Sequence, residues 1–486
     1  MATIDEIRKN RLKKLENIRK AGIEPYPAKS KRTHTINEAV SDFKKLAKSE
    51  KKIVLVGRIR LLRPHGKSCF IQFQDGTGQF QAYFKQDVVG EKRYNFFIDN
   101  FDIGDFIEIR GSLFKTKTGE KTIRAKSFKI LAKSLLPLPE KWSGLKDEEE
   151  RFRKRYLDFI FNPEVKDIFL KKACFWSSMR KFLEDKGFLE VETPALEVVT
   201  GGADAKPFIT HHDALDIDLY LRISMGELWQ KRLMVAGFDK TFEIGRQFRN
   251  EGISREHLQD YTQMEFYWAY ADYEQGMKLV EEMYKYVVKK TFGTLKFHIF
   301  DFNVDLNKKW KKIDYRKAVL DRFDIDVNKT SRKEVIKKLN KIKVEYDNKA
   351  SLGRLIDILW KQCRKETAGP AFLIGHPVLV SPLAKRDSKN RNITQRFQVI
   401  LAGSEIGNGY SELNDPLDQA QRFEEQAKLR DEGDVEAQMH DVDFVEALEY
   451  GMPPTCGFGV SERLFSFLMG RNIKECVMFP LLRPKK

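Results

Sequence analysis

The stretch from Phe242 to Tyr267 carries four side chains that can bind a charged small molecule. Its alternating apolar residues predict two antiparallel strands joined by a polar loop. Arg249 and Glu251 leave the first strand two positions apart, and Glu265 and Tyr267 share one face of the second. A guanidinium binds two oxygens of a phosphate or carboxylate at once, and carboxylates bind a cation. We therefore predict a binding floor, with a charged, solvent-exposed hairpin as the alternative interpretation.

Two later segments, a hairpin and a strand that leads into a helix, place polar side chains next to glycines. Glycine allows a ligand to approach the backbone closely, so both segments are candidates for the same site, although the first also fits an ordinary polar hairpin. Gly202 allows the same close approach, and Glu227 opens a predicted helix. The two segments contain Glu405, Asn408 and Glu412 around Gly407 and Gly409, and Arg463 after Gly457 and Gly459.

The elements that position these residues follow two different periodicities. Residues 1–52 are a basic helical extension, with helices predicted over 5–21 and 36–48, where Gly22 ends the first. Over residues 53–134 the period changes to two, and hairpin turns are marked by Asp75-Gly76 and Thr118-Gly119. Five short antiparallel strands in about 80 residues predict a small closed barrel of the OB type. These strands cover residues 53–60, 69–74, 79–85, 105–114 and 121–131.

The second barrel strand places Phe70 on one face with Gln72 and Gln74, while Ile71 and Phe73 take the other. An aromatic ring among glutamines on an outer face is what base stacking needs, whereas burial in the barrel core is the alternative interpretation. Arg63 and Gln81 lie close to this patch in the sequence.

Residues 135–160 are punctuated by proline and then charged, which predicts a linker into a second domain at 161–486. Asn162 and Pro163 predict the start of a long helix that Gly187 ends, and a strand follows up to Pro194. Helices are predicted over 272–290 and 415–431, and a helical insertion over about 307–365. The fold class is therefore α+β, with an antiparallel sheet flanked by helices.

Composition restricts the class of protein. The 486 residues include 88 Lys and Arg against 71 Asp and Glu, a net charge of +17, and residues 1–52 alone carry +8. A basic arm suits a polyanion such as nucleic acid, and a solvated basic helix is an equal alternative. No apolar run approaches about 20 residues and no signal region is present, so we expect a cytoplasmic protein without a membrane span.

Metal and disulfide chemistry have weak support in the sequence. His211 and His212 are adjacent, but neighbouring residues in a strand point to opposite faces, so we do not expect a metal site there. The cysteines form no CxxC pair, and we expect buried free thiols in a reducing compartment. They are Cys69, Cys174, Cys363, Cys456 and Cys476.

Several motifs resemble those of the class II (class IIb) lysyl-tRNA synthetases of bacterial type, over nearly the whole chain. They are FRNEG, T-x-M-E-x-Y, GNGYSELNDP, VSPLAK and LFKTKTGE. The resemblance implies an OB-fold anticodon-binding domain followed by a class II catalytic domain, acting as a homodimer. It implies activation of L-lysine with ATP and transfer of the lysyl group to tRNA(Lys).

The resemblance also implies roles for single residues. Arg249 contacts the α-phosphate and the substrate carboxylate, and Glu251 and His257 serve the ATP side. Tyr261 and Arg463 take the two faces of adenine, with Arg249 and Arg463 as the catalytic pair. Glu227, Glu265 and the backbone of Gly202 bind the α-amino group of lysine. Glu412 and Tyr267 bind the ε-ammonium group, and Asn408 binds the carboxylate. In the barrel, Phe70 stacks on an anticodon uridine, with Arg63, Gln81 and Glu120 nearby.

Three departures from the family pattern stand out. Glu405 is implied as a ligand of Mg²⁺, but Gln398 stands where the family usually has a second magnesium-binding glutamate, which puts the number of metal ions in doubt. The third motif reads GVSERL where GIDRL is usual, and the loop reads EHLQDY where HNPEF is common.

Two other functions remain open from the sequence. Aspartyl- and asparaginyl-tRNA synthetases share the architecture and the FRNE arginine, but we do not expect them to carry GNGYSELNDP. An RNA-binding protein on a decayed synthetase scaffold is the non-enzymatic alternative that Gln398 raises, whereas intact Arg249, Arg463, Glu405 and Glu412 argue against decay.

Overall fold

Alternating apolar residues near the start of the chain close into a five-stranded barrel. The computed structural model describes residues 3–49, 51–139, 147–252, 254–434 and 436–485. The chain divides into two units, Met1–Glu148 and Glu149–Lys486. In the first unit the helices are α1 (Ile4–Lys20), α2 (Ile36–Ser41), α3 (Phe43–Lys48), α4 (Gln86–Val89) and α5 (Glu91–Asn100). Its strands are β1 (Ile53–His65), β2 (Ser68–Gln74), β3 (Gln79–Lys85), β4 (Phe106–Lys115) and β5 (Lys121–Ala132).

The barrel closes in the order β1-β2-β3-β5-β4. Apolar side chains of alternating positions, such as Ile71 and Phe73, fill its interior. This confirms the predicted OB-type architecture, and both predicted hairpin turns lie where β2 meets β3 and β4 meets β5. Three details differ from the prediction: β3 and β5 pair in parallel and not antiparallel, the helix predicted over 36–48 breaks at Asp42, and α4 and α5 were not predicted.

The second unit is built on one large sheet. The strands of this unit are β6 (Leu189–Glu190), β7 (Leu196–Glu197), β8 (Ile209–His212), β9 (Ile217–Leu221), β10 (Lys240–Phe248), β11 (Asp260–Ala269), β12 (Lys296–Ile299), β13 (Phe302–Asp305), β14 (Lys311–Asp314), β15 (Ala371–Ile374), β16 (Arg396–Leu401), β17 (Ser404–Ser411) and β18 (Thr455–Ser461). Eight of these strands form the sheet, in the order β14-β15-β16-β17-β18-β11-β10-β6. Its six central strands are antiparallel, and only the two edge strands pair in parallel.

Helices pack around this sheet. They are α6 (Glu148–Arg153), α7 (Arg155–Phe161), α8 (Pro163–Asp185), α9 (Glu227–Val235), α10 (Tyr273–Phe292), α11 (Tyr315–Phe323), α12 (Arg332–Lys341), α13 (Leu352–Arg364), α14 (Pro416–Asp431), α15 (Val442–Glu449) and α16 (Arg463–Leu468). The side chains of α8 and α10 bury a common core against the central strands. The α+β fold class is therefore confirmed.

Several local predictions for this unit need correction. The strand predicted up to Pro194 is only two residues long, because β6 lies at the sheet edge and pairs with β10 alone. Asn162 stands at the predicted start of α8, but its side chain does not cap the helix and instead donates to Asp158 Oδ1 at 2.6 Å. The insertion over about 307–365 begins with β14 before its three helices, α11 to α13. In the predicted linker, residues 140–146 lie outside the described part of the chain, and α6 and α7 occupy most of the rest.

Two further expectations concern membrane spans and the cysteines. Among the described residues, no helix is long and apolar enough to cross a membrane. The thiols are free, but only Cys69, Cys456 and Cys476 are buried, whereas Cys174 and Cys363 are partly exposed.

Candidate functional site

The register of the large sheet aligns the predicted polar residues in two rows on one face. In the first row Glu265 of β11, Gly459 of β18 and Asn408 of β17 are direct neighbours. In the second, Tyr267, Gly457 and Tyr410 follow the same order. Residues opposite each other in a sheet point to the same side, so the polar groups of β11 and β17 face one volume across the glycines of β18. This volume is a cavity of about 350 Å³.

The two glycines of β18 keep the middle of this face open. A Cβ atom on Gly457 would lie 2.2 Å from Glu412 Oε1 and 2.7 Å from the Tyr267 ring, and one on Gly459 would lie 3.1 Å from Glu265 Cγ. The sequence analysis predicted that these glycines leave room for a ligand, whereas the structure gives a different reason for them. The space beside them already belongs to the side chains that form the floor.

Three buried carboxylates, Glu227, Glu265 and Glu412, line the cavity. Glu265 accepts hydrogen bonds from Met225 N at 3.0 Å, Gln263 Nε2 at 2.6 Å and the Tyr267 hydroxyl at 3.1 Å. Desolvation, and after it the charge of Glu227, raises the pKa of Glu265 to about 7. Desolvation also raises the pKa of Glu412 well above its usual value. The floor therefore disfavours its own negative charge and favours a cation that supplies the missing counter-charge.

Lys231 of α9 was not predicted and is the cation nearest to two of these carboxylates. Its Nζ lies 2.7 Å from Glu227 Oε1 and 2.6 Å from Glu412 Oε2, and its side chain is completely buried. The Tyr410 hydroxyl donates a further hydrogen bond to Glu227. The contacts thus join Glu227 to Glu412 and Glu265 to Tyr267, whereas the resemblance paired Glu227 with Glu265 and Glu412 with Tyr267. Glu227 and Lys231 are four positions apart, a helical spacing that the sequence displays.

Arg249 lies just beyond the end of β10 and faces the cavity. Its Nε donates to Ile223 O at 3.2 Å, and its guanidinium carbon lies 5.8 Å from the centre of the Tyr261 ring. Arg249 N donates to Gln259 O at 2.7 Å, which closes the loop between β10 and β11. The guanidinium and an aromatic ring are therefore presented together on one wall.

A second cationic group, Arg463 at the first residue of α16, faces the same cavity. Its guanidinium donates to the carboxylate of Glu256 and to the hydroxyl of Ser404, and Ser404 in turn donates to Glu256 at 2.8 Å. Desolvation, and then the charge of Arg463, lowers the pKa of the neighbouring His257 to about 4. The imidazole is therefore neutral at pH 7 and can donate or accept a hydrogen bond there.

Asn408 is held by Arg396, whose Nε donates to Asn408 Oδ1 at 2.8 Å. On the other side of Asn408 in the row, Gln398 is buried and does not line the cavity. Its Oε1 has no hydrogen-bond partner among the described residues. Glu405 lines the cavity with a partly exposed carboxylate, 3.6 Å from Arg364 Nη1.

Most of the predicted small-molecule residues thus meet in one cavity, and two do not line it. Glu251 lies beside the cavity with its backbone N–H bonded to Arg249 O, and burial raises the pKa of its carboxyl. Gln398 is the second exception. Among the described residues, no group of three or more His, Cys, Asp or Glu side chains has the arrangement of a metal site. The predicted residues that line the cavity are Gly202, Glu227, Arg249, His257, Tyr261, Glu265, Tyr267, Glu405, Asn408, Glu412 and Arg463.

The histidine pair in β8 is exposed. His211 Nδ1 lies 3.0 Å from Asp218 Oδ1 on the neighbouring strand, and His212 accepts a hydrogen bond from Leu215 N.

The barrel presents a separate aromatic face. Phe70 is partly exposed, with its ring centre 4.7 Å from that of Tyr83, while Phe73 is completely buried. The stacking interpretation of Phe70 is thereby favoured over the core interpretation. Arg63 is the direct neighbour of Phe70 on β1 and is exposed, and Gln81 donates to Thr122 Oγ1 at 2.9 Å. Glu120 is exposed in the turn between β4 and β5.

The sequence analysis did not single out two aromatic residues of this face. The ring of Tyr83 lies 6.2 Å from that of Phe114, and Arg124 lies 4.7 Å above the Phe114 ring. Aromatic rings with interleaved cations are suited to single-stranded nucleic acid.

Comparison with known proteins gives matches to both units. A family model described as tRNA synthetases class II (D, K and N) matches residues 147–483, and one described as OB-fold nucleic acid binding domain matches residues 53–131. The chain is 45% identical to the lysine–tRNA ligase of Thermotoga maritima, over 99% of this chain and 97% of that protein. It is 44% identical to that of Thermosipho africanus, over 99% and 97%. It is also 44% identical to that of Carboxydothermus hydrogenoformans, over 99% of each.

Proposed function

Because the chain belongs to the lysine–tRNA ligases of the class II tRNA synthetases, we propose that it activates L-lysine with ATP and transfers the lysyl group to tRNA(Lys). One observation carries the choice of amino acid: three buried carboxylates face one small cavity. Lysine brings two ammonium groups, and each needs a desolvated anionic partner. A cavity for aspartate or asparagine would not need this excess of carboxylates.

We assign the two ends of lysine to the two groups of carboxylates. Glu227 and Glu265, with the backbone of Gly202, take the α-amino group, and Glu412 with Tyr267 takes the ε-ammonium. The substrate carboxylate goes to Arg249 and Asn408. Two contacts support the view that both groups belong to one connected floor. They are the hydrogen bond from Tyr267 to Glu265 and the ion pair from Lys231 to Glu412.

ATP takes the other end of the cavity in this proposal. Tyr261 and Arg463 contact the two faces of adenine, and Glu251 and the neutral His257 act on the ATP side. A lysine carboxylate oxygen attacks the α-phosphorus, the bond from that phosphorus to the bridging oxygen breaks, and pyrophosphate leaves. No protein nucleophile is needed, because catalysis consists of alignment and of charge stabilisation by Arg249 and Arg463.

Magnesium is implied by the family and would neutralise phosphate charge during this step. Oxygen ligands suit this ion, and ATP supplies several of them through its phosphates. Glu405 offers a carboxylate at the cavity, whereas the amide of Gln398 is buried and does not line it. We propose Glu405 as the principal protein ligand and Gln398 as an uncharged helper.

The barrel face is the proposed anticodon site. Phe70 stacks on a uridine of the anticodon, and Arg63, Gln81 and Glu120 contact the neighbouring nucleotides. The partly exposed, tilted pair of Phe70 and Tyr83 supports this assignment, because stacked bases need accessible rings.

We further propose a homodimer. Large apolar side chains are exposed on α8, on the edge strand β6 and on the small sheet of β7, β9 and β8, and an apolar surface of this kind favours association. They are Leu170, Leu189, Leu196, Val198 and Ile209. Light scattering after size-exclusion chromatography tests the proposal, and a monomer at micromolar concentration would contradict it.

The decisive experiment is ATP–pyrophosphate exchange with each of the twenty amino acids in turn. We expect exchange with lysine alone, followed by charging of tRNA(Lys). Exchange with aspartate or asparagine would show a different amino acid specificity. No exchange with any amino acid, together with retained tRNA binding, would favour an RNA-binding protein on a synthetase scaffold.

A further inference from the structure

Lys231 lies behind the floor of the cavity and is not among the residues assigned to lysine or to ATP. Glu227 and Glu412 line the cavity, whereas Lys231 does not and has a completely buried side chain. Its ammonium nevertheless lies within 2.7 Å of Glu227 and 2.6 Å of Glu412. A substrate therefore meets the two carboxylates, and the carboxylates meet Lys231 on their far side.

The helix dictates this arrangement. Residues four apart on a helix lie on the same face, so α9 places Lys231 directly next to Glu227. Glu412 directly follows β17, which ends at Ser411. A buried ammonium is unfavourable without a partner, and one that has two carboxylates within ion-pair distance is well compensated.

The charges of the floor can be counted from these contacts. Glu265 accepts its hydrogen bonds from a backbone amide, a glutamine and a tyrosine, all of them neutral donors. When all three carboxylates are ionised they carry three negative charges, and Lys231 neutralises one. The remaining deficit of two positive charges equals the two ammonium groups of lysine. The substrate carboxylate is separate from this count, because Arg249 is its proposed partner.

We propose that Lys231 is a positioning residue for amino acid recognition, which favours the ionised forms of Glu227 and Glu412 and offsets one of the three negative charges that the floor carries when a cationic ligand ionises its carboxylates. The inference rests on the proposed function, since it assumes that lysine is the ligand of this cavity. An amino acid with two ammonium groups then leaves the floor neutral, whereas one with a single ammonium group leaves an uncompensated buried carboxylate.

The other groups around Lys231 are compatible with this role. Glu265 and Tyr267 of β11 and Cys456 of β18 lie within electrostatic range of Glu412, and burial raises the pKa of all three side chains. Tyr410 lies beneath the ammonium, with 5.5 Å between Lys231 Nζ and the ring centre. Phe444 of α15 closes the far side at 5.8 Å. The charged groups that face Lys231 are therefore Glu227, Glu412 and, further away, Glu265.

The test measures lysine binding by calorimetry in the full-length protein and its Lys231→Met variant, from about pH 6.5 to about pH 8.5. Loss of a neighbouring cation raises a carboxyl pKa by about one to three units. We therefore expect the dissociation constant for lysine at pH 7 to rise by about tenfold or more in the variant and to fall again as the pH is raised. ATP binding should not change.

Arg232→Met is the matched control. Arg232 is the next residue of α9, and it pairs with Asp441 at 3.0 Å and not with the carboxylates of the floor. Its loss should leave both the lysine affinity and its pH profile as in the unchanged protein. A Lys231→Met variant that behaves like this control would overturn the inference. Failure of the unchanged protein to bind lysine at all would instead contradict the proposed function.

A second comparison separates charge matching from a structural role. In a Glu412→Gln background the floor carries one negative charge too few for lysine, so removal of Lys231 should restore the match. We expect Lys231→Met to tighten lysine binding in that background and to weaken it in the unchanged protein. A structural role predicts weaker binding in both, and that result, or failure to fold in both backgrounds, would overturn the inference.

Discussion

Glu256 and Arg463 are 207 positions apart in the chain, yet their side chains form an ion pair at the cavity. Glu256 belongs to the loop between β10 and β11, and Arg463 begins α16. The contact fixes the plane of a guanidinium that we propose to lie against adenine. It therefore links the two segments that would enclose the nucleotide.

The first prediction concerns this pair. Glu256→Gln removes the charged acceptor, and hydrogen bonds to charged groups contribute about 1.5–3 kcal/mol. We expect the KM for ATP in pyrophosphate exchange to rise by about tenfold or more, with the lysine dissociation constant unchanged. Asp260→Asn is the control, because it breaks an exposed pair with Arg246 in the same hairpin. An unchanged KM for ATP would show that Arg463 does not need Glu256.

The second prediction concerns Arg249. Its replacement by alanine should lower the rate of adenylate formation by about 10²–10³-fold or more, because a preorganised positive charge at the reacting phosphate is lost. Arg246→Ala in the same hairpin removes an exposed arginine and should have little effect. Exchange at a near-normal rate in Arg249→Ala, with the fold intact by circular dichroism, would contradict the assignment.

The third prediction follows from the pKa of about 7 for Glu265 in the empty site. Lysine needs the ionised carboxylate, so its affinity should fall as the pH drops below 7 and level off above it. The limiting slope is a tenfold change in the dissociation constant per pH unit for a single group. Glu265→Gln should bind lysine more weakly and lose this part of the pH dependence. A pH profile that is the same with and without the carboxyl would rule out Glu265 as the titrating group.

The fourth prediction separates two phenylalanines of β2. Phe70→Ala should raise the KM for tRNA, because stacking of one base contributes about 1–3 kcal/mol, and should leave pyrophosphate exchange unchanged. Phe73→Ala, at a buried position of the same strand, should instead lower the free energy of unfolding by about 3–5 kcal/mol. If Phe70→Ala mainly lowers the melting temperature, the ring has a packing role.

The fifth prediction concerns Gln398. A carboxylate holds a divalent cation more tightly than an amide oxygen does. We therefore expect Gln398→Glu to lower the magnesium concentration that gives half-maximal exchange. Gln421→Glu, which adds the same charge on the exposed side of α14, is the control. A magnesium dependence that does not respond to Gln398→Glu would mean that this buried side chain does not reach the metal.

The barrel was predictable because its strands carry a buried, apolar side chain at every second residue. The helices between β3 and β4 were not predictable, because residues 86–100 are mostly polar and their few aromatic residues indicate a helix only when their packing partners are known. The Phe97 ring stacks on Phe84 with 4.5 Å between the ring centres, and this tertiary contact supports α5. The strand predicted up to Pro194 failed for the opposite reason: alternation was present, but a partner strand lies alongside two residues only.

For the site, local motifs identified most of the residues but not the contacts between them. Glu227 and Lys231 display their helical spacing in the sequence, whereas the pairing of Lys231 with Glu412 joins residues 181 positions apart and depends on the tertiary fold. The same holds for Glu256 and Arg463. The sequence also indicated that β18 needs glycines, but the side chains that require them, Glu265, Tyr267 and Glu412, come from other strands.

The position of β18 in the sheet has a consequence for the synthesis of the protein. Among the described strands it comes latest in the sequence, yet it lies between β11 and β17 in the middle of the sheet. Until residues 455–461 emerge, these two neighbours each present an unpaired edge, and edges of this kind attract other chains. A nascent chain that ends before Thr455 already contains nearly every residue of the cavity, but it lacks the strand that joins β11 to β17.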